Sequence, residues 1–141
     1  MEFPYDKDIV YFAHCFPYTY QDVSELLHKI CTPQRKDRIR KTLLCKTLAG
    51  NDCEMAIITN FYSRPEDIAI RKAIVLSSRI HPGESQSSFI MHGSIEYLVS
   101  DEAGAQYLRD HFVFKIIPML NPDGVIVGNY RCSLAGQDLN R

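Results

Sequence analysis

The chain has 141 residues, which is enough for one domain with a buried core and too few for two full domains. Apolar residues make up 45% of the sequence and charged residues 23%, which excludes disordered and fibrous classes. The net charge of -1 gives the chain no overall electrostatic attraction to nucleic acid or to an anionic membrane, so neither is expected as a partner.

The first predicted elements are a strand and a helix. Residues 8–15 are rich in valine, isoleucine, tyrosine and phenylalanine, which predicts a strand. A helix is predicted next, because Thr19 can cap it and Asp22 falls in its first turn, near the positive end of the helix dipole. Pro33 ends this helix, whose apolar stripe consists of Val23, Leu26, Leu27 and Ile30.

A hairpin and a short apolar strand follow the helix. Residues 39–48 and 55–61 are predicted strands, joined by residues 49–52, whose glycine and Asx residues tolerate turn geometry. Residues 73–78 are a short apolar strand of the kind that is buried on both faces of a mostly parallel sheet.

The remaining elements indicate a crossover between parallel strands. Helices are predicted over residues 86–99 and 105–110, and residues 112–117 are the next buried strand. A strand, helix, strand succession of this length forms a right-handed parallel crossover in nearly all known cases. The sequence therefore predicts the α/β class, with a mixed, mostly parallel sheet and flanking helices.

Cysteine usage and the first residues predict a reducing compartment. Residues 1–8 contain acids and a proline where a secretory signal has a basic region and an apolar run, so a cytosolic location is expected. No C-x-x-C pair occurs, and the odd number of cysteines favours reduced, mostly buried thiols. These are Cys15, Cys31, Cys45, Cys53 and Cys132.

The strongest local motif is His81-Pro82-Gly83-Glu84, at the end of an apolar strand and the start of a helix. Ligands bind at this edge in open α/β sheets. An imidazole and a carboxylate three residues apart can reach one zinc ion, and the proline and glycine between them permit a sharp turn. Taken alone, the pattern is more typical of a polar loop with a surface ion pair. Its position after an apolar strand, with a second set of polar residues after the next strand, favours the metal site.

A second set of polar residues follows the next predicted strand. Asn121-Pro122-Asp123-Gly124 predicts a turn when it is considered alone. It precedes Asn129-Tyr130-Arg131 and then Asp138-Leu139-Asn140-Arg141. An arginine fork and an asparagine amide are the groups expected to hold a free carboxylate.

The chain resembles the zinc carboxypeptidases, specifically the cytosolic carboxypeptidases, in four ordered motifs: His81-Pro82-Gly83-Glu84, Asn121-Pro122-Asp123-Gly124-Val125, Asn129-Tyr130-Arg131 and Leu139-Asn140-Arg141. The resemblance implies a Zn²⁺ cofactor with His81 and Glu84 as two of its ligands. It also implies that Asn140 and Arg141 bind the terminal carboxylate of a substrate.

The same resemblance assigns roles to two further residues. Arg131 matches the arginine that stabilises the oxyanion. Asp138 matches the acid that accepts a hydrogen bond from the zinc-bound histidine and so fixes its tautomer. As an alternative, Asp138 caps a helix or a turn. In the implied mechanism, a zinc-bound water is deprotonated by a glutamate and attacks the last peptide carbonyl.

The family pattern is incomplete within these residues. A third zinc ligand, a histidine, and the glutamate general base are expected C-terminal to Arg141. The other histidines do not occupy the expected place and are interpreted as ordinary: His14, His28, His92 and His111. Residues 1–141 are therefore expected to be the first half of a zinc carboxypeptidase catalytic domain, inactive alone.

Substrate and partners follow from the resemblance alone. Cytosolic carboxypeptidases remove glutamates from protein C-termini or side chains, with tubulin as the prominent target, so glutamate-rich tails are the expected partners. Two alternatives stay open: an isoform that binds peptide C-termini without catalysis, and a zinc amidohydrolase acting on N-acyl amino acids. A nucleotide-binding domain is disfavoured, because it needs a glycine-rich phosphate loop.

Overall fold

The computed structural model describes residues 2–141, and its first helix, α1, covers Tyr20–Ile30. The Asp22 backbone N–H donates to Thr19 Oγ1 at 3.2 Å, and the Asp22 carboxylate accepts from the Thr19 N–H. This reciprocal capping box starts the helix where the sequence predicted. The predicted apolar stripe is buried: Val23, Leu26, Leu27 and Ile30.

Four strands form one open sheet in the order β1-β2-β4-β3. Strands β1 (Ile39–Lys46) and β2 (Asp52–Ile58) form the predicted hairpin. Strand β4 (Phe112–Ile117) pairs antiparallel with β2 and parallel with β3 (Lys72–Ser77). The mixed sheet is confirmed. Among its three strand pairings one is parallel, whereas we expected most of them to be parallel.

The helices flank the sheet and supply the predicted crossover. Between β3 and β4 lie α3 (Ser85–Leu98) and α4 (Ala103–His111), which return the chain to a parallel neighbour. The shorter helices are α2 (Pro65–Ala69), α5 (Pro122–Val127) and a 3₁₀ turn at Pro33–Arg35. None of the helices within residues 2–141 is long and apolar enough to cross a bilayer.

The core lies between one face of the sheet and helices α1 and α3. One buried cluster joins Leu27 of α1, Ile58 of β2, Ile95 of α3 and Ile116 of β4, all fully buried. Burying a side chain of this size stabilises the fold by roughly 1.5–3 kcal/mol. This packing sets the position of the loops that follow β3 and β4.

Two strand predictions are wrong in detail. Residues 8–15 form no strand, because no neighbouring backbone within residues 2–141 pairs with them, and Tyr11 is 88% exposed. Strand β3 is not buried on both faces. Ile74 and Leu76 pack against the core, whereas Val75 on the opposite face is 62% exposed.

All five cysteines are free thiols in the structure, and most of them are not buried, whereas mostly buried thiols were expected. Cys53 is buried, Cys45 is exposed, and the other three have intermediate exposure. The pattern that predicted reduced thiols contains no information on which strand face each cysteine occupies.

Candidate active site

Two loops leave the sheet side by side where β3 and β4 end. The first loop follows β3 and contains His81–Glu84, and the second follows β4 and leads into Asn121–Gly124. The pairing continues past both strands, because Ser78 N–H donates to Ile117 O at 3.1 Å and Leu120 N–H donates to Ser78 O at 2.9 Å. Further along, Asn121 N–H donates to Arg79 O at 3.2 Å. The polar segments after the two strands are therefore adjacent at the edge where ligands bind in such sheets.

Arg79 holds the first loop from inside. It is 6% exposed, and its φ of 56° lies in the left-handed region, which is uncommon for a residue other than glycine. Its guanidinium donates to Pro82 O at 2.7 Å, Tyr18 O at 2.8 Å and Ser88 Oγ at 3.0 Å. Burial lowers the pKa of Arg79, and these hydrogen bonds offset the cost of burying the cation.

Two glycines permit close contact between the loops. A Cβ at Gly83 would lie 2.2 Å from Cδ2 of Tyr130, and the Gly83 N–H donates to Tyr130 O at 2.7 Å. A Cβ at Gly124 would lie 2.5 Å from Cγ of Pro82 and 2.8 Å from Cys132 O. Both glycines are therefore required by packing, because a side chain at either position would separate the motif His81–Glu84 from the second loop.

His81 lies between two carboxylates, with a side chain that is 7% exposed. Its Nδ1 is 3.3 Å from Glu84 Oε1, and its Nε2 is 3.1 Å from Asp138 Oδ1. A proton on Nε2 donates to Asp138 and leaves the Nδ1 lone pair on the side of Glu84. This tautomer, assigned from the hydrogen bond, places one imidazole nitrogen and one carboxylate together as donors.

Asp138 connects His81 to Arg131. Arg131 Nε donates to Asp138 Oδ2 at 2.6 Å, and the Asn140 N–H donates to Asp138 Oδ1 at 2.9 Å. The hydrogen bond from the Asn140 backbone, followed by those from Arg131 and His81, lowers the pKa of Asp138 to about 2 despite its burial. Asp138 is thus an ionised acceptor at neutral pH and also stabilises the turn into Asn140.

Arg131 keeps part of its donor capacity. Its side chain is 42% exposed, and within residues 2–141 its two terminal guanidinium nitrogens make no hydrogen bond. A guanidinium held through Nε alone can still donate to an anion through those nitrogens.

Asn140 and Arg141 are exposed and close to Asp138 along the backbone. The Arg141 N–H donates to Asp138 O at 3.3 Å, and Arg141 Nη1 donates to Asn140 O at 2.8 Å. Within residues 2–141, neither side chain makes a hydrogen bond or ion pair with His81 or Glu84. The structure therefore joins His81 and Glu84, the predicted metal ligands, to Asp138 and Arg131 through direct contacts. Beside them lie Asn140 and Arg141, the predicted clamp for the carboxylate of a substrate.

Asp123 ties the second loop to the hairpin. Its carboxylate accepts from Thr47 Oγ1 at 2.6 Å, Ala49 N–H at 3.0 Å and Asn51 Nδ2 at 2.9 Å. Burial opposes ionisation, but these three hydrogen bonds outweigh it and lower the pKa of Asp123. The turn predicted at this motif is instead the start of α5, because Asn121 caps the helix and Pro122 occupies its first turn.

Within residues 2–141, no other histidine makes a hydrogen bond or ion pair with His81 or Glu84, although the His14 ring lies 6.0 Å from the ring of Tyr130. His92 contacts Tyr18 Oη at 2.8 Å through Nδ1 and Glu96 at 3.4 Å through Nε2. His111 contacts its own helix at Tyr107 O, at 2.8 Å. His14 and His28 are exposed, so ordinary roles fit all four.

The donor set at the site fits part of a zinc centre. Within residues 2–141, no group of three or more His, Cys, Asp or Glu side chains is placed to hold a metal ion. His81 Nδ1 and the Glu84 carboxylate are donors that zinc uses, while Asp138 occupies the opposite ring nitrogen. A complete catalytic site has three protein ligands, so this pair would supply two of them.

Sequence reasoning missed Arg79 and the anchoring role of Asp123. The available signal for Arg79 is a charged residue that follows an apolar strand directly and precedes His81 by two positions, where burial with fixed partners is plausible. For Asp123 there was no such signal, since the residues that bind it lie in a distant turn.

Comparison with known proteins places these motifs in one family. The zinc carboxypeptidase family model matches residues 27–141. Cytosolic carboxypeptidase 2 of Mus musculus is 53% identical over 99% of this chain, and the human protein is 51% identical over 100% of it. The chain spans 16% of the length of each relative.

The fold comparison agrees with the sequence comparison. A metallo-carboxypeptidase from Burkholderia cenocepacia superposes with a TM-score of 0.76 and 30% identity, covering 89% of this chain and 33% of that one. The names of the curated relatives support the cytosolic location expected from the sequence. The four motifs, the mixed sheet and the identity across the whole chain lead to one conclusion: the chain belongs to the zinc carboxypeptidase family.

Proposed function

We propose that residues 1–141 are the first half of the catalytic domain of a zinc metallocarboxypeptidase that removes C-terminal or side-chain glutamates from proteins such as tubulin. The observation that carries this proposal is the contact of His81 Nδ1 with Glu84 at 3.3 Å while His81 Nε2 is held by Asp138 at 3.1 Å. A fixed imidazole beside a carboxylate is the arrangement of a metal-binding pair with its supporting acid.

Zinc is an ion that accepts both donors of this pair, and it is the metal named in the matching family model. One imidazole nitrogen and one carboxylate oxygen would hold it, with the remaining ligands supplied by residues outside this chain. When bound, zinc lowers the pKa of a water molecule and polarises a peptide carbonyl. In the neutral imidazole, the hydrogen bond to Asp138 places the proton on Nε2 and leaves the Nδ1 lone pair for a metal ion.

The polar side chains around His81 and Glu84 have complementary roles in this proposal. Arg131 is held at Nε by Asp138 and would use its terminal nitrogens to stabilise negative charge on the carbonyl oxygen. Asn140 and Arg141, both exposed, would bind the free carboxylate of the substrate. Substrate position would thus be set by the same turn that orients His81.

The activity belongs, in this proposal, to a longer protein. The chain spans 16% of the length of its curated relatives, and its described residues bring two metal donors together. We therefore expect residues 1–141 alone to bind zinc weakly and to show no measurable carboxypeptidase activity.

Glutamate preference is tested on the longer protein with peptides that differ in the last residue. We expect faster release of a terminal Glu than of Leu or Lys, and no release from a peptide with an amidated C-terminus, because the clamp at Asn140 and Arg141 requires a carboxylate. A preference for Lys would reject the choice of substrate, and equal cleavage of the amidated peptide would reject the clamp.

A binding function without catalysis is the second candidate, because the described residues bring together two donors and not three. It predicts that the His81→Ala variant of the longer protein keeps its affinity for peptides with a free C-terminal carboxylate and that the unchanged protein turns none over. Turnover of any of the three peptides would reject it.

A further inference from the structure

Cys45 and Cys53 face each other across the β1–β2 hairpin. They are partners in the antiparallel register, between the pair Lys46 and Asp52 on one side and a register shift at Leu43–Cys45 on the other. Directly opposite residues in such a ladder have Cα atoms about 4.5–5.5 Å apart, which lies within the range of about 4.4–6.8 Å that a disulfide requires. Both side chains also leave the same face of the hairpin.

The two thiols differ in exposure. Cys45 is exposed, whereas Cys53 is 2% exposed and its Sγ donates to Met119 O at 3.5 Å. Burial raises the pKa of the Cys53 thiol to about 11, and the neighbouring Cys45 thiol adds to this rise. A soluble oxidant therefore meets Cys45 first, and Cys53 is the partner that reacts second.

We propose that Cys45 and Cys53 form a reversible intramolecular disulfide by exchange with a low-molecular-weight disulfide such as oxidised glutathione. The Cys45 thiolate attacks one glutathione sulfur, which forms a mixed disulfide and releases one reduced glutathione. The Cys53 thiol then loses its proton to solvent, and its sulfur attacks Cys45 Sγ and expels the second reduced glutathione. Two protein thiols are oxidised and one glutathione disulfide is reduced.

The position of this pair links it to the candidate active site. The turn between the two cysteines contains Thr47, Ala49 and Asn51, the three residues that donate to Asp123. A covalent bond at the base of the turn restricts its freedom and so stabilises its contact with the second loop. Oxidation also removes the hydrogen bond from Cys53 to Met119 O, on the segment that leads from β4 to Asn121.

The test uses the full chain in native buffer with excess oxidised glutathione, followed by intact mass, thiol counting and peptide mapping. We expect a monomer that has lost two hydrogen atoms, retains no glutathione, maps to Cys45–Cys53 and is restored by dithiothreitol. The Cys53→Ser variant should keep one glutathione on Cys45, and the Cys45→Ser variant should leave Cys53 unmodified. The Cys31→Ser control should still form the bond.

Three results would overturn the proposal. They are a stable glutathione adduct on Cys45 in the unchanged chain, a dimer joined through Cys45, and a disulfide that maps to any other pair of cysteines. Loss of two hydrogen atoms in the Cys45→Ser variant would equally show that this pair is not the site. Because Cys45 is exposed, the Cys45→Ser result does not depend on substituting a buried residue.

Discussion

Replacing Gly83 with alanine tests whether the first loop is seated on Tyr130. The new Cβ would lie 2.2 Å from Cδ2 of the Tyr130 ring. Carbon atoms rest about 3.5–4.0 Å apart, so the ring must move by roughly 1.5 Å. Overpacking of this kind costs about 1–3 kcal/mol, and strain on the 2.7 Å hydrogen bond from Gly83 N–H to Tyr130 O adds to it.

The assay is urea unfolding followed by circular dichroism, with Gly93→Ala as the matched control. Gly93 lies inside α3 with nothing within 4 Å of its added Cβ, so the alanine should stabilise the chain by up to about 1 kcal/mol through helix propensity. We expect Gly83→Ala to lose about 2 kcal/mol. Adding Tyr130→Ala should remove most of the Gly83→Ala penalty. Equal, stabilising effects of the two alanines would refute this reasoning.

Three further variants test single contacts. The stability advantage of the unchanged chain over Asp138→Asn should be constant above about pH 5 and shrink between about pH 4 and pH 2, because an aspartate with a lowered pKa loses its stabilising effect as it is protonated. A difference in stability between the two chains that stays constant between about pH 4 and pH 2 would contradict this. Asp123→Asn should cost roughly 1–3 kcal/mol in urea unfolding, because its carboxylate is buried. The control Asp67→Asn should cost about 0–1 kcal/mol, because the Asp67 side chain is 44% exposed and pairs with Arg64 at the surface. Equal losses would remove the anchoring role of Asp123. In the longer protein, Arg131→Ala should lower turnover on the order of 100-fold with little loss of zinc, and unchanged turnover would remove its role.

Local signals predicted the elements that depend on local contacts. The capping pair Thr19 and Asp22 lies within one turn, and β4 begins and ends at the predicted residues. The strand predicted at residues 8–15 failed because a strand needs a partner, which residue propensity does not report. The exposed face of β3 has the same explanation, since an apolar run does not show how many of its faces are covered.

The motifs of the site could be predicted from the sequence, whereas the residues that hold its loops in place could not. His81 and Glu84 were paired because their spacing reports their proximity, and the resemblance added Asp138. Arg79 contacts Tyr18 and Asp123 contacts Asn51, far away in the sequence, so neither contact leaves a periodic pattern. The sequence at the start of α5 predicts a turn, because proline, aspartate and glycine favour turns and helix starts alike.

Zinc content of the longer protein tests the central claim most directly. After dialysis, metal analysis of the purified protein should find zinc in the unchanged chain and a large loss in both His81→Ala and Glu84→Gln, because each removes one donor of the pair. The His92→Ala control should keep its zinc, since His92 contacts Tyr18 and Glu96 instead. Zinc retained by His81→Ala at the level of the unchanged protein would contradict the assignment of this pair as metal ligands.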